Sequence, residues 1–311
     1  MHEYLHPFMP TIADLAAGIV QRVTQVGRTL LRSRPTDTDI SNAVPQPRGV
    51  GHVSLVGAGP GDPDLITLKA LKALSAAEVV LHDQLVSSEV LALASQHAQR
   101  IDVGKKGYGR ACKQSDINDL MVAFAKAGRR VVRLKAGDPL MFGRLEEETV
   151  ALETAGISFD VVPGISAAQG AAASLGVALT RRRGARRFQA ITGHADHGRL
   201  PGDFDWAGLA DPKATTAVYM PKATIADLCR ELMARGLPGP HPAAAVFNAT
   251  RADEVVLSAD LATLPHRVAA APSQGPCIIL IGVAATRHAA CVSGSAGAHA
   301  VVELRNGLFV A

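Results

Sequence analysis

Aromatic side chains are scarce in this sequence: eight Phe, three Tyr and one Trp make up 4% of 311 residues. That leaves too few rings to interleave with basic residues and stack nucleic-acid bases. Charge is thin as well, at 19% Asp, Glu, Lys and Arg against a usual ~25%. The 32 basic and 28 acidic residues leave a formal charge of +4, which suits an anionic small molecule and falls short of a nucleic-acid footprint. The four cysteines, Cys112, Cys229, Cys277 and Cys291, form no CxxC pair and no Cys/His zinc spacing, and they are too few for a disulfide framework. No metal site is expected, and a reducing cytoplasm is the natural location. No apolar run approaches the ~20 residues that cross a bilayer. The best, Cys277 to Ala285, contains Gly282 and reads as a buried strand, so no membrane partner is expected.

What is present is aliphatic. Hydrophobic residues reach 48%, enough for a large core of Ala, Val, Leu and Ile, which excludes a disordered chain. The length favours two domains. Residues 1–51 read as an extension. Apolar residues at Ile12, Leu15, Ala16, Ile19, Val23, Val26 and Leu30 predict a short amphipathic helix, and a polar, Pro-rich linker follows. Its arginines faintly suggest a transit peptide, but Glu3, Asp14, Asp37 and Asp39 argue against one.

From His52 apolar runs alternate with helical stretches: VSLVG, LITLKALKAL, EVVLHD, RIDVG, RRVVRLK and SFDVVPG. Repeated β-α-β units predict a mostly parallel sheet with helices on both faces, and ligands at the carboxyl ends of its strands. After Thr180 a basic stretch introduces a second set of strands, near 188–192, 216–220, 243–248, 254–258 and 277–281, with a helix over 225–234. The expected division is a first α/β domain over 52–180, a second over 181–285, and a flexible tail over 286–311.

Three strand ends carry chemistry. Gly57-Ala58-Gly59-Pro60-Gly61-Asp62-Pro63 sits where a dinucleotide loop would, and Asp83 ends the second strand where that motif wants a ribose-binding acid. Asp62 occupies the third glycine position, however, and Pro60 offers no N–H to a pyrophosphate. A loop bent around a ligand without phosphate fits better; a tight turn with no ligand would use the same glycines. Arg133-Leu134-Lys135-Ala136-Gly137-Asp138-Pro139 leaves another strand. Val162-Pro163-Gly164-Ile165-Ser166-Ala167 leaves a third, with Ser166 placed to cap a helix. Three such turns on one rim point to one pocket.

In this order, with Asp83 and GKKG between them and ITGH and VYM after, these stretches closely resemble the uroporphyrinogen-III C-methyltransferases of the tetrapyrrole methylase family. The resemblance runs from about Val53 to Val283. It implies two α/β domains with the active site in the cleft between them, usually a homodimer. The implied activity is S-adenosylmethionine-dependent double C-methylation of uroporphyrinogen III to precorrin-2, for sirohaem or cobalamin synthesis. By the same resemblance Pro60, Ala136, Gly137, Asp138, Met141, Ser166, Ala167, Met220 and Ala249 contact S-adenosylmethionine, and S-adenosylhomocysteine is the product. Asp83 and Lys105 match positions of proton transfer; an ionised Asp can accept a proton and a charged Lys can donate one. A strand-end Asp and a solvated Lys are the plainer alternative, and Met220 taken alone reads more readily as a core residue, lifted only by the order of the motifs.

The implied substrate is a tetrapyrrole polycarboxylate, so a basic pocket is expected. Arg181, Arg182 and Arg183, with Arg186 and Arg187, are candidates to bind it, as is the Lys105, Lys106, Arg110, Lys113 loop. The chain departs from the family pattern in places. Ala136 stands for a Gly, Arg181 and Arg183 for a His and an Asp, and Ala249 for a Gly. If the lost glycines used positive φ, each alanine costs about 1 kcal/mol. A methylase of a later corrin intermediate and a decayed, non-catalytic tetrapyrrole-binding or cofactor-binding protein stay open as alternatives.

Overall fold

The structure, a computed structural model, describes residues 49–104, 113–194, 199–273 and 275–284. The helix expected over 12–31, the loop residues Lys105, Lys106 and Arg110, and the tail 286–311 lie outside the described residues.

In the first half, β1 (His52–Gly57) leads through a 3-10 turn (Pro63–Leu65) to α1 (Leu68–Ala76), β2 (Val79–His82), α2 (Ser88–Ala92) and β3 (Gln99–Asp102). α3 (Gln114–Lys126), β4 (Arg130–Lys135), α4 (Leu145–Thr154) and β5 (Ser158–Val162) complete it. Helix starts follow local chemistry: the Thr67 and Ser87 hydroxyls accept from the amides of Ala70 and Val90, satisfying donors that the first turn leaves free. The five strands are all parallel in the order β3-β2-β4-β1-β5. Period-two alternation sends Val53, Leu55, Val79, Leu81 and Val131 to one face, against Ile117, Met121 and Leu152 of α3 and α4. Val56, Val80, Val132 and Leu134 go to the other face, against Ala70, Leu74 and Val90. A sheet covered on both faces explains the near-continuous apolar strands.

The second half contains α5 (Ala167–Ser174), β6 (Arg187–Thr192), α6 (Trp206–Leu209), β7 (Ala214–Tyr219) and α7 (Ile225–Ala234). It ends with β8 (Pro242–Phe247), β9 (Val255–Asp260), α8 (Leu264–Ala269) and β10 (Cys277–Ile281). Its sheet is mixed, in the order β6-β7-β10-β8-β9, with only β6 and β7 parallel. Ile225, Leu228, Cys229 and Leu232 bury one stripe of α7, the spacing that marked this helix in the sequence. α5 packs its Ala168, Ala171 and Ala172 on the second sheet, against Ala217, Ala244, Val246 and Ile278. The boundary expected at residues 180 and 181 therefore follows a helix that packs with the second half. No described helix is long and apolar enough to cross a membrane.

Candidate active site at the carboxyl edge of the first sheet

β1 and β4 are neighbours, yet the connection leaving β1 runs toward β2 and the one leaving β4 runs toward β5. Their exit loops meet at the shared carboxyl edge, the part of an open parallel sheet where ligands bind. Gly59 and Gly137 pair there as an isolated bridge: the Gly59 amide donates to the Gly137 carbonyl at 3.1 Å and the Gly137 amide to the Gly59 carbonyl at 2.8 Å. Both glycines hold left-handed backbone, at φ 72° and 69°. The β5 exit loop joins them, for a Cβ on Gly57 would lie 2.6 Å from the Gly164 nitrogen and 2.7 Å from the Gly137 oxygen. Ser166 then caps α5 in a reciprocal capping box with Gln169. The three turns expected to share a rim are thus in mutual backbone contact.

The second half closes on this rim. Pro60 lies against α5, where a Cβ on Gly170 would meet the proline ring at 2.7 Å. The Asp62 amide donates to the Thr250 hydroxyl at 3.1 Å, and the Arg251 guanidinium donates to the Leu85 carbonyl. Phe142 and Tyr219 stack at a tilt with centroids 5.0 Å apart, and the Ala168 amide donates to the Tyr219 hydroxyl at 3.4 Å. All five non-glycine residues with positive φ among the described residues, Phe142, Arg144, Met220, Asn248 and Thr250, belong to these loops. Strain of this kind persists where surroundings impose it and concentrates at functional sites. Met220 is 51% exposed, so its side chain is not a core residue. Ala136 and Ala249 are absent from the positive-φ set; the left-handed positions fall on Gly137, Asn248 and Thr250, so the two alanines carry no left-handed cost. Asp138 fastens its own turn by accepting from the Leu140 amide, and the Met141 amide donates to its carbonyl.

Asp62 has a local task of its own, accepting from the Asp64 amide to cap the 3-10 turn. The following helix starts only at Leu68, so no long helix N-terminus abuts the glycine loop as a dinucleotide site would require.

Beneath the rim lies a charged cluster that the sequence did not reveal. Arg133 and Lys135, two residues apart on β4, project from the same face as Val131 toward α4. Glu148 of α4 receives Arg133 Nε at 3.0 Å and Lys135 Nζ at 2.7 Å on each carboxylate oxygen, together with the Gln114 amide at 3.2 Å. Arg133 Nη2 donates to Asp83 Oδ1 at 2.5 Å. Exposure is 2% for Arg133, 3% for Lys135 and 0% for Glu148. Burial works against a charged Arg133, but Asp83 and Glu148 outweigh it and hold the guanidinium pKa above its ordinary value. Lys135 is pushed below its ordinary value, first by burial and then by Arg133, with Glu148 opposing.

Of the residues expected from sequence, Pro60, Ala136, Gly137, Asp138, Met141, Ser166, Met220 and Ala249 lie in the loops just described, and Ala167 opens α5 directly after Ser166. Asp83 lies at the end of β2, its amide on the Leu134 carbonyl. Lys105 lies outside the described residues; Gly104 before it packs against Gln84, next to Asp83. Arg181, Arg182 and Arg183 are not brought to this rim. The Arg181 guanidinium donates to the Gly282 carbonyl at 2.7 Å, just beyond the end of β10 that pairs with the starts of β7 and β8. Met220 and Ala249 follow the opposite ends of β7 and β8. Arg182 and Arg183 are exposed. No group of three His, Cys, Asp or Glu residues able to hold a metal occurs among the described residues.

Comparison with known proteins agrees with this geometry. Residues 52–265 match the family described as Tetrapyrrole (Corrin/Porphyrin) Methylases. The chain is 47% identical over 232 residues to a protein named siroheme synthase from Methylococcus capsulatus, covering 75% of this chain and 49% of that one. It is 45% identical over 234 residues to a uroporphyrinogen-III C-methyltransferase from Paracoccus denitrificans, covering 75% of this chain and 81% of that one. The chain thus spans about half the length of the siroheme synthases it matches. Among solved structures it superposes on uroporphyrin-III C-methyl transferase from Thermus thermophilus complexed with S-adenyl homocysteine. The TM-score is 0.63 at 37% identity, over 75% of this chain and 97% of that one.

Proposed function

This chain belongs to the tetrapyrrole methylase family, and from that membership we propose that it is an S-adenosylmethionine-dependent uroporphyrinogen-III C-methyltransferase. It methylates its substrate twice to precorrin-2, for sirohaem or cobalamin synthesis. The observation that carries this reading is the convergence of the three glycine turns at the carboxyl edge of the sheet where Asp83 ends β2, its amide on the Leu134 carbonyl. A side chain on Gly57 or Gly164 would abolish that approach, so the backbone of all three loops is free to line one ligand.

These residues fit a methyl donor with an adenosyl group. Pro60, Ala136, Gly137, Asp138, Met141, Ser166 and Ala167 hold it from the first half, and Met220 and Ala249 from the second. The exposed Met220 and Phe142 side chains offer an adaptable apolar wall that excludes water. When bound, S-adenosylmethionine supplies a methyl group: the C–S bond breaks with its electron pair going to sulfur, a new C–C bond forms to a pyrrole carbon, and the macrocycle then sheds a proton. Because charge is lost in the displacement, the chief demand on the protein is alignment. Asp83 accepts the departing proton. Its second oxygen, Oδ2, has no partner among the described residues, while Oδ1 is held by Arg133. Lys105 serves proton transfer or a substrate carboxylate. Arg181, Arg182 and Arg183, distant from the rim, act on the polycarboxylate by attraction at a distance. The enzyme works in the cytoplasm as a homodimer.

Incubating the full chain with uroporphyrinogen III and S-adenosylmethionine without oxygen, and following mass and absorbance, tests the proposal. A product two methyl groups heavier is expected. Unchanged substrate, with S-adenosylhomocysteine still bound tightly, would point to the binding protein instead.

A further inference from the structure

We propose that Glu148 is a positioning residue for the methyl-transfer reaction, fixing through Arg133 the carboxylate that takes the proton. The proposal rests on the function stated above and adds the part of the chain that arranges Asp83.

The argument begins with geometry. Arg133 can bind Asp83 through Nη2 only if its guanidinium plane is set, and two carbonyls and one carboxylate set it. Nη1 reaches the Leu81 and Leu134 carbonyls at 3.4 and 3.3 Å, while Nε is held by Glu148 at 3.0 Å. The carbonyl contacts are long, and Glu148 supplies the one charge-assisted anchor on that side. Glu148 cannot swing away, because Lys135 Nζ sits symmetrically 2.7 Å from both of its oxygens and Gln114 holds Oε1. Lys135 is packed in turn, its Cε lying 3.1 Å from where a Cβ on Gly143 would stand.

Charge points the same way. Two carboxylates and two cations make a neutral set, three of them almost wholly removed from water. For stability alone such a set is often no better than packed apolar side chains. Here one end of it emerges: Asp83, with 32% of its side chain exposed, is the terminus that reaches solvent, and it stands at the carboxyl edge, its amide on the Leu134 carbonyl. A rigid buried relay ending on one accessible carboxylate is suited to presenting that carboxylate in a fixed orientation.

The test is a double-mutant cycle on the full chain with Glu148→Gln, Asp83→Asn and the two combined, read as separate kcat and KM values. Glu148→Gln keeps the shape but weakens the hold on Arg133. It should lower kcat by roughly 10-fold or more while moving KM for either substrate less than about 2-fold, the pattern of a lost transition-state interaction. In the Asp83→Asn background it should have almost no further effect, because residues acting as a unit are not additive. Should Glu148→Gln alone fail to fold, Glu148→Gln with Lys135→Met removes one charge of each sign and keeps the cluster neutral; the same loss of kcat is expected. The inference is overturned if Glu148→Gln turns over at the wild-type rate. It is equally overturned if kcat losses multiply in the combined variant, or if S-adenosylhomocysteine affinity falls as far as kcat does, which marks a general structural role. A wild-type chain that transfers no methyl would instead defeat the function itself, an outcome visible before any variant is made.

Discussion

Replacing Gly164 by alanine places a Cβ inside contact distance of the Gly137 carbonyl oxygen and 3.0 Å from the Gly57 Cα. Every obstacle is backbone, so no flexible side chain can step aside. The loop has two ways out. It can move and give up the Gly59–Gly137 pair, two neutral hydrogen bonds worth about 0.5–1.5 kcal/mol each. Or it can stay and absorb the overlap, which in well-packed protein costs about 1–3 kcal/mol. The cheaper route wins, so the loss should be about 2 kcal/mol rather than the sum of both. Urea unfolding measures it as a drop in midpoint at unchanged slope. Because either route displaces backbone that lines the proposed site, S-adenosylhomocysteine affinity should fall about 10-fold or more, equivalent to at least ~1.4 kcal/mol in calorimetry. Gly156→Ala is the matched comparison: its φ is +68° but nothing lies within 4 Å. It should cost about 1–2 kcal/mol of backbone strain and leave ligand affinity alone. A Gly164→Ala protein that binds S-adenosylhomocysteine as tightly as wild type would refute the convergence argument.

Three further outcomes are expected. Asp83→Ala should cut kcat by roughly 10²-fold or more with S-adenosylhomocysteine affinity nearly intact; an unchanged rate in a stopped assay would leave Asp83 a structural carboxylate. Asp160 lies against Lys69, His52 and Ser54, and despite burial these partners lower its pKa from 3.8 to about 2. A depressed carboxylate stabilises the fold above its unfolded pKa and loses that contribution as pH falls from near 4 toward 2. Asp160→Asn should therefore cost about 1–2 kcal/mol at pH 7 after allowance for solvent screening, and almost nothing below pH 2, as paired unfolding curves would reveal. Finally, Arg181→His with Arg183→Asp should raise KM for uroporphyrinogen III at low salt and converge on wild type at high salt, since distant surface charge is screened. A salt-independent rise would mean direct contact, and no rise at low salt would remove the cluster from substrate binding.

The strand-end turns were legible because Gly, Pro and Asp after an apolar run have few other uses, and three at one rim reinforce each other. Helix α7 was equally plain, its Ile225, Leu228, Cys229 and Leu232 stripe fixing both ends. The buried cluster was not legible. Arg133 and Lys135 close a strand with the alternation of a solvent-facing edge, and Glu148 follows Glu146 and Glu147, which are exposed; only the docking of α4 on β4 decides which of the three acids turns inward. The affiliation of α5 escaped for a related reason: an Ala-rich helix carries too weak a stripe to say which sheet it will cover. Helices α6 and α8 are short, and α8 carries a proline, Pro265, as its second residue, a residue that reads as loop unless its place in the first turn is known.

The position of β10 has a consequence for how the molecule is made. It is the last of the described strands in sequence yet stands at the centre of its sheet, between β7 and β8. On a ribosome the first sheet can close once Val162 has emerged, but β7 and β8 must wait with unpaired edges until Cys277 to Ile281 follow. During that wait α5 has only part of the surface it is to cover, because Ile278 and Leu280 are missing. The second half is therefore assembled late through contacts distant in sequence, the slow and aggregation-exposed regime of folding. A nascent chain halted before residue 277 holds a finished first sheet beside an open one.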